Sequence, residues 1–263
     1  MSAERDKEIA ALRKNYDLRN SHARENELVV RDGLSLRVHP GSREAFEYFC
    51  FLAPEMVVEL NSFIEHTQNK RRLLDIGALH GIFSLVFAAN HPEKKVMAVD
   101  ASPVAFARLL YNIHCNSLSQ ITPVECALSD SAGTLRMHYE WEHAVAANTE
   151  TAGSAAHLLS VVRRTGDELC ASLSFEPDVV KIDVEGHEVK VIKGLTKVIE
   201  RHRPVIFLEL HPTRIAEERD DVNDLVRLLL AGGYKASLMG GDPFPIQEIS
   251  RFATDQRMLL SPT

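Results

Sequence analysis

LLDIGALHG, residues 73–81, reads as a β-strand running into a turn with the spacing D-x-G-x-x-x-G. Asp75 stands at the strand end, and Gly77 and Gly81 bracket the turn into the helical stretch FSLVFAANH. Glycine admits φ > 0 and lets backbone approach a ligand closely. The start of the following helix offers unsatisfied N–H groups and a positive end. Many nucleotide sites use this geometry, and so do plain structural turns.

Downstream, strand and helix alternate. KVMAVDAS reads as a strand and PVAFARLLYNIHCN as a helix, with Pro103 placed near its first turn. ITPVECALS reads as one short strand and SAGTLRMHY as a turn then a strand. Residues 141–160, rich in Ala, Thr, Gly and His and poorly periodic, read as an irregular loop. VVRRTGDELC leads into a short helix, PDVVKIDVEG is a strand, HEVKVIKGLTKVIERH a helix and RPVIFLEL a strand. DVNDLVRLLLAGG is a helix ended by Gly232-Gly233, and YKASLMG and RMLLSP are the last strands. This pattern predicts an α/β fold with a mainly parallel sheet covered on both faces. Sites in such sheets lie outside the carboxyl ends of the strands. That rule directs attention to residues 75–81, 100–103, 127–130, 183–188 and 209–212.

Upstream, residues 3–18 are mostly helix formers. Ile9, Leu12 and Tyr16 make a single apolar stripe, a candidate surface for forming a homo-oligomer. Residues 27–40 read as a hairpin around Asp32-Gly33, and residues 44–66 as helical with a break allowed at Pro54. Residues 1–66 are therefore expected to form a helical and hairpin extension, and 67–263 the main domain.

The chain of 263 residues is long enough for a sizeable core without disulfide or metal staples. Its net charge of -7 and the lack of a dense basic stripe speak against nucleic acid as a partner. Four cysteines without a C-x-x-C pair read as free thiols in a reducing compartment. The first twenty residues carry charges throughout, and no apolar run is long enough to span a bilayer, so a cytoplasmic protein is expected.

The strand VMAVD ends at Asp100, nineteen residues after Gly81. A carboxylate there can accept hydrogen bonds from both ribose hydroxyls of an adenosine. The loop lacks the three glycines of a pyrophosphate cradle, Asp75 would repel a pyrophosphate, and there is no G-x-x-x-x-G-K-[ST]. A ligand with a cation or amine fits better. S-adenosyl-L-methionine offers adenosine, a sulfonium and an α-amino acid, with no phosphate. In CALSDSAG, Asp130 can accept from the adenine exocyclic amine, although its neighbours are also ordinary turn formers. Two alternatives stand beside this: an NAD-dependent oxidoreductase, and a non-catalytic interaction domain that keeps the fold.

LLDIGALHG, VMAVDASPVAFARLLYNIHCN, VECALSDSAGTL, VVKIDVEGHEVKVIKGL and PVIFLELHP together resemble the FkbM family of class I S-adenosylmethionine-dependent methyltransferases, over residues 72–212. The resemblance implies a Rossmann-like sheet of seven strands, six parallel and the last antiparallel, with S-adenosylmethionine as methyl donor. It implies an O-methyltransferase acting on a hydroxyl of a sugar or small natural product. Asp75, Gly77 and Gly81, with Ala78 between them, match the family's first motif. Asp100, followed by Ala101, stands at its ribose-binding acidic position, and Asp130 at its adenine-side position. Asp183, Glu185, Gly186, His187 and Glu188 match its second signature. Leu79 stands where the family usually has asparagine, an exchange expected to remove a polar contact and reshape the cofactor mouth.

Strand alternation places Lys181, Asp183 and Glu185 on one side if the strand runs that far. Methyl transfer to a hydroxyl is an in-line displacement, and the hydroxyl must lose its proton. His187 is a reasonable base; Asp183 or Glu209 can instead orient the hydroxyl or take the proton. Helix capping by the acidic groups is the structural alternative. Glu185 and His211 are candidate acceptor-binding residues. Tyr139 and Trp141, within HYEWEH at 138–143, are candidate stacking surfaces for the acceptor. These acids and histidines match no specific metal-site spacing and methyl transfer requires no metal, so none is expected.

Overall fold

Two apolar faces on every central strand set the architecture. The structure, a computed structural model, describes residues 27–31, 33–140, 143–146 and 158–263. The helix expected over 3–18, Asp32 and Trp141 lie outside the described residues. The hairpin is present: β1 (Glu27–Arg31) pairs antiparallel with β2 (Leu34–Arg37), and Gly33 turns at φ 78°. α1 (Arg43–Glu47), a π-helical turn over Tyr48–Leu52 and α2 (Pro54–His66) follow, with the break falling at Ala53 before Pro54.

The alternation then runs β3 (Arg72–Ile76), α3 (Ile82–Ala88), β4 (Lys95–Asp100), α4 (Pro103–Cys115), β5 (Ile121–Glu125), β6 (Ala127–Leu128), β7 (Gly133–Glu140), β8 (His143–Ala146) and β9 (Leu158–Arg164). It continues through α5 (Gly166–Ser172), β10 (Val179–Ile182), α6 (Glu188–Gly194), α7 (Thr196–His202), β11 (Val205–Leu210), α8 (Pro212–Glu217) and α9 (Val222–Ala231). It closes with β12 (Tyr234–Leu238), β13 (Pro243–Phe244) and β14 (Gln256–Pro262).

The main sheet has the order β13-β12-β14-β11-β10-β3-β4-β5. β5, β4, β3, β10 and β11 are parallel neighbours, whereas β14 runs antiparallel between β11 and β12. The seven long strands thus have the expected six-plus-one arrangement. The eighth, β13, is a two-residue addition at the free edge of β12, where Pro243 needs no donor. Leu74, Ile76, Val180, Ile182, Ile206 and Leu208 bury one face, and Leu73, Val96, Ala98, Val179 and Phe207 the other. α2 seats on the second face through Phe63, whose ring lies 5.0 Å from those of Phe83 and Phe207. Among the described residues no helix is long and apolar enough to cross a membrane.

Three local expectations are corrected. ITPVECALS is two strands: the chain leaves the main sheet after Glu125, and Ala127–Leu128 joins a second sheet of order β6-β9-β7-β8. The supposed irregular loop contains β8 and the first three residues of β9, whose strand character comes from pairing with β7 rather than from periodicity. The helix over 187–202 is two helices broken at Leu195, just after Gly194, a weak helix former. Gly194 is held there by close packing, because a Cβ would lie 2.0 Å from the Ser129 carbonyl oxygen.

Leu79 adopts the left-handed region at φ 50°, which asparagine tolerates and leucine does not favour. Leu79→Asn is therefore expected to keep or raise stability. Leu79→Val, β-branched in the same conformation, is expected to lose about 1 kcal/mol or more. Denaturant midpoints would test this, and equal midpoints for the two variants would contradict it.

Candidate active site

The carboxyl ends of β3, β4, β10 and β11, with the β5–β6 junction, open onto one cavity of about 340 Å³. On one side lies the glycine turn. The N–H groups of Gly77 and Ala78 both donate to the Val99 carbonyl, at 2.9 and 3.0 Å, which draws the turn over the end of β4. Gly77 has φ 76°, and a Cβ there would fall 1.8 Å from the Asp183 carbonyl oxygen. Gly81, at φ 92°, begins α3.

Asp100 is buried. Its Oδ2 accepts from the Leu79 N–H at 2.7 Å and its Oδ1 from the Ser102 N–H at 2.8 Å. The Leu79 contact is made by its backbone and does not depend on the side chain. Each carboxylate oxygen keeps a lone pair for a further donor. Burial pushes Asp100 up to about 7. Asp75 is 1% exposed; its Oδ2 accepts from the Ser84 hydroxyl at 2.6 Å, and its Oδ1 is buried without a hydrogen-bond partner. Burial pushes Asp75 up to about 6. An orphaned carboxylate oxygen, a doubly anchored but unsaturated carboxylate and a turn bracketed by glycines fit an adenosine carrying an amino acid. Ala101, Ala127 and Leu128 also line the cavity. Asp130 does not: it is exposed and accepts from the Ser131 hydroxyl at 2.9 Å.

The other side is acidic below and apolar above. β10 ends at Ile182, so Lys181 and Asp183 share a side, Nζ to Oδ2 3.6 Å, while Glu185 turns away at φ 54°. Glu185 reaches the same cleft from the loop and pairs with Arg214 at 2.9 Å. Asp183 feels burial, which raises its pKa, but Lys181 and then His211 hold it below the usual range. Glu209, at the end of β11, is pushed up to about 8 by burial and by Asp183. Its Oε1 is paired with the Arg257 guanidinium.

His211 Nδ1 lies 2.8 Å from Glu188 Oε1, and its Nε2 lies 3.6 Å from Glu185 and 3.7 Å from Glu209. Burial favours its neutral form, but Glu188, Asp183 and Glu185 outweigh that and raise it to about 9. His187 behaves oppositely. Its Nε2 is hydrogen-bonded to the Ser129 hydroxyl at 2.9 Å, and burial lowers it to about 4. Phe46, Phe49, Met56, Leu135 and Met137 make the apolar wall. Tyr139 lies on β7, its backbone opposite Ala144.

Residues that sequence reasoning missed complete the floor. Glu59 of α2 is fully buried, 3.1 Å from Lys181 Nζ through Oε1 and 3.0 Å from Arg257 Nε through Oε2. Asp183, Glu209 and His211 place donor atoms within 4.8 Å of one another. The positive charge they face is already supplied by Lys181 and Arg257, and we assign them no metal.

The model of the methyltransferase FkbM domain matches residues 75–236. The hexuronic acid methyltransferase AglP of Haloferax volcanii is 28% identical over 206 residues, covering 78% of this chain and 82% of that protein. The methyltransferase sdnD of Sordaria araneosa is 31% identical over 157 residues, covering 47% of this chain and 60% of that protein. A crystal structure of methyltransferase FkbM from Methylobacillus flagellatus is 17% identical with a TM-score of 0.47, over 73% of this chain and 44% of that one. The family match spans both the glycine turn and the Asp183–Glu188 signature. The chain belongs to the FkbM family of S-adenosylmethionine-dependent methyltransferases.

Proposed function

We propose that this enzyme methylates a hydroxyl group of a sugar or small natural product. The observation that carries the proposal is the Asp183–Glu209 pair, two carboxylates at the cavity floor whose proton affinities are driven in opposite directions. Such divergence is the usual mark of a divided acid–base role. S-adenosylmethionine, when bound, supplies a methyl group on a positively charged sulfur.

Asp75 would take the amino end through its orphaned Oδ1, and Asp100 the ribose hydroxyls. The adenine edge would meet Ala127 and Leu128 rather than Asp130. Ala101 would line the ribose side. Asp183, ionised, accepts a hydrogen bond from the acceptor hydroxyl and orients it. Glu209 takes its proton. Protonated His211, fixed by Glu188, stabilises negative charge as it develops on the pair. His187, tied to Ser129 and neutral, holds the second signature against the β6 end rather than serving as base. Glu185 and Arg214 sit at the rim, where they can meet polar groups of the acceptor. The extension 1–66 lends Phe46, Phe49 and Met56 to the apolar wall, which suits the carbon face of a sugar.

Cofactor binding is testable without the acceptor. Calorimetric titration with S-adenosylhomocysteine should show saturable binding, reduced at least about tenfold in Asp100→Ala, and no binding of NAD. Affinity should fall as pH drops from 8 to 6, because Asp100, raised to about 7, takes up a proton and ceases to be a full acceptor. Asp100→Asn should flatten that dependence. Absence of wild-type binding would remove the assignment.

Turnover needs an acceptor screen, and the relative named for hexuronic acid makes uronic acids and their glycosides the first compounds to try. With a turned-over acceptor, the rate should rise with pH toward about 8 as the carboxylate pair loses its proton, and fall above about 9 as His211 does. Glu209→Gln should lower kcat by about 10²- to 10⁴-fold while S-adenosylhomocysteine affinity stays near wild type. An unchanged kcat in Glu209→Gln would exclude Glu209 as the base.

A further inference from the structure

Behind the carboxylate pair lies a closed circuit of alternating charge. Asp183 is 3.6 Å from Lys181, Lys181 is 3.1 Å from Glu59, Glu59 is 3.0 Å from Arg257, and Arg257 pairs with Glu209, which completes the circuit beside Asp183. Lys181 and Glu59 are 1% and 0% exposed, so their charges are not screened by water. The Lys181 ammonium also lies 5.0 Å from the Phe83 ring centroid, which closes off its apolar side.

Glu59 is the only member of the circuit that touches both cations. One of its oxygens faces Lys181 and the other Arg257. It lies on α2, ahead of the matched family domain at 75–236, and Arg257 lies on β14, after it. Neither touches the glycine turn among the contacts described above.

We propose that Glu59 is a positioning residue for methyl transfer, acting on the Asp183–Glu209 pair by holding Lys181 and Arg257 in place between itself and that pair. The inference rests on the assignment of Asp183 and Glu209 as the acceptor-side carboxylates. Lys181 and Arg257 each serve two anions, one structural and one in the cavity. Glu59 absorbs part of their positive field, so Asp183 and Glu209 feel less of it and remain better proton acceptors. Without Glu59, the buried Lys181 and the half-buried Arg257 would act on the pair alone and weaken it as a base. A full charge at this range moves a buried carboxyl by about 1–3 pH units.

The groups that face Glu209 are Asp183 and Lys181 from β10 and its loop, Glu59 from α2, Arg257 from β14 and His211 just beyond β11; Glu55 acts on it through Arg257. Two of these variants should move Glu209 in opposite directions. Carbon-13 carboxyl resonances of the full chain, with Glu209 assigned by its loss in Glu209→Gln, would be titrated in wild type, Glu59→Gln and Arg257→Gln. The Glu209 midpoint is expected to fall by about one unit or more in Glu59→Gln and to rise in Arg257→Gln. Simple loosening of the floor would admit water and send both midpoints down, toward the ordinary carboxylate range. Two downward shifts, or no shift in Glu59→Gln, would overturn the proposal.

If Glu59→Gln does not fold, Glu59→Asp replaces it. Its shorter side chain cannot span both cations, so a smaller downward shift supports the proposal and no shift overturns it. S-adenosylhomocysteine titration of the same samples separates the two levels of inference. Affinities within about threefold of wild type are expected for both variants. Failure of the wild type to bind would remove the methyltransferase assignment, whereas the opposed midpoints test the circuit independently.

Discussion

A lysine ammonium in the middle of a buried sheet must be met by anions, and the arrangement of the site follows from where those anions come from. Lys181 lies on β10, between β3 and β11, with apolar residues on either side of it in the strand. Removing such a charge from water costs several kcal/mol after relaxation. β10 itself supplies one counter-charge, Asp183, just past its end. The second, Glu59, comes from α2, which must therefore dock with one register. Glu59 then requires a cation for its other oxygen, and β14 provides Arg257. One charge in one strand thus ties together the segment before the sheet, the centre of the sheet and its antiparallel last strand.

A second constraint sets the glycine turn against this floor. The N–H of Asp183 donates to the Ile76 carbonyl at 3.0 Å, and the Asp183 carbonyl oxygen sits where any side chain at residue 77 would lie. Adjacent parallel strands make this approach possible, and glycine makes it tolerable. The glycine-turn and carboxylate halves of the cavity meet there. At the other end of the second signature, His187 hydrogen-bonds the Ser129 hydroxyl, and the same close-packing device recurs beyond it, at the end of α6, where Gly194 packs on the Ser129 carbonyl. The Asp183 and His187 contacts pin the Asp183–Glu188 segment at both ends.

The sequence made the frame legible because periodicity reports burial directly. VVKI and VIFL, near-continuously apolar, belong in a parallel sheet covered on both sides, and β10 and β11 lie there. Glycine spacing located the turn, and strand ends located Asp100, Asp183 and Glu209. The second sheet was illegible because β8 and β9 owe their conformation to β7, a partner whose register no local pattern encodes. Glu59 was hidden for a related reason. In a helix, one acid on the apolar stripe with Leu60 and Phe63 looks like a fault in the pattern. Only the third dimension shows that Lys181, itself a fault in the VVKI run, is its explanation. Two breaks of pattern, 122 residues apart, account for one another. Arg257 carried no signal at all, since an arginine near the start of a final strand is ordinary.

Stability alone does not explain such a circuit. Replacing a buried ion pair or triad with apolar residues of matching volume is often neutral or stabilising. What apolar residues could not do is separate the proton affinities of groups that share one small cavity. Asp183 is held low by Lys181, and Glu209 is driven high by burial and by Asp183. His211 is driven high by Glu188 and its other acids, while His187, a few residues along the same signature from Asp183, is driven low by burial. Near neutral pH the cavity therefore holds a firm anion, a carboxyl that ionises just above neutrality, a stable cation and a neutral imidazole. The proposed displacement, which must orient a hydroxyl, collect its proton and tolerate passing negative charge, would draw on the first three of these groups together. The buried charges behind them are how four ordinary side chains come to differ.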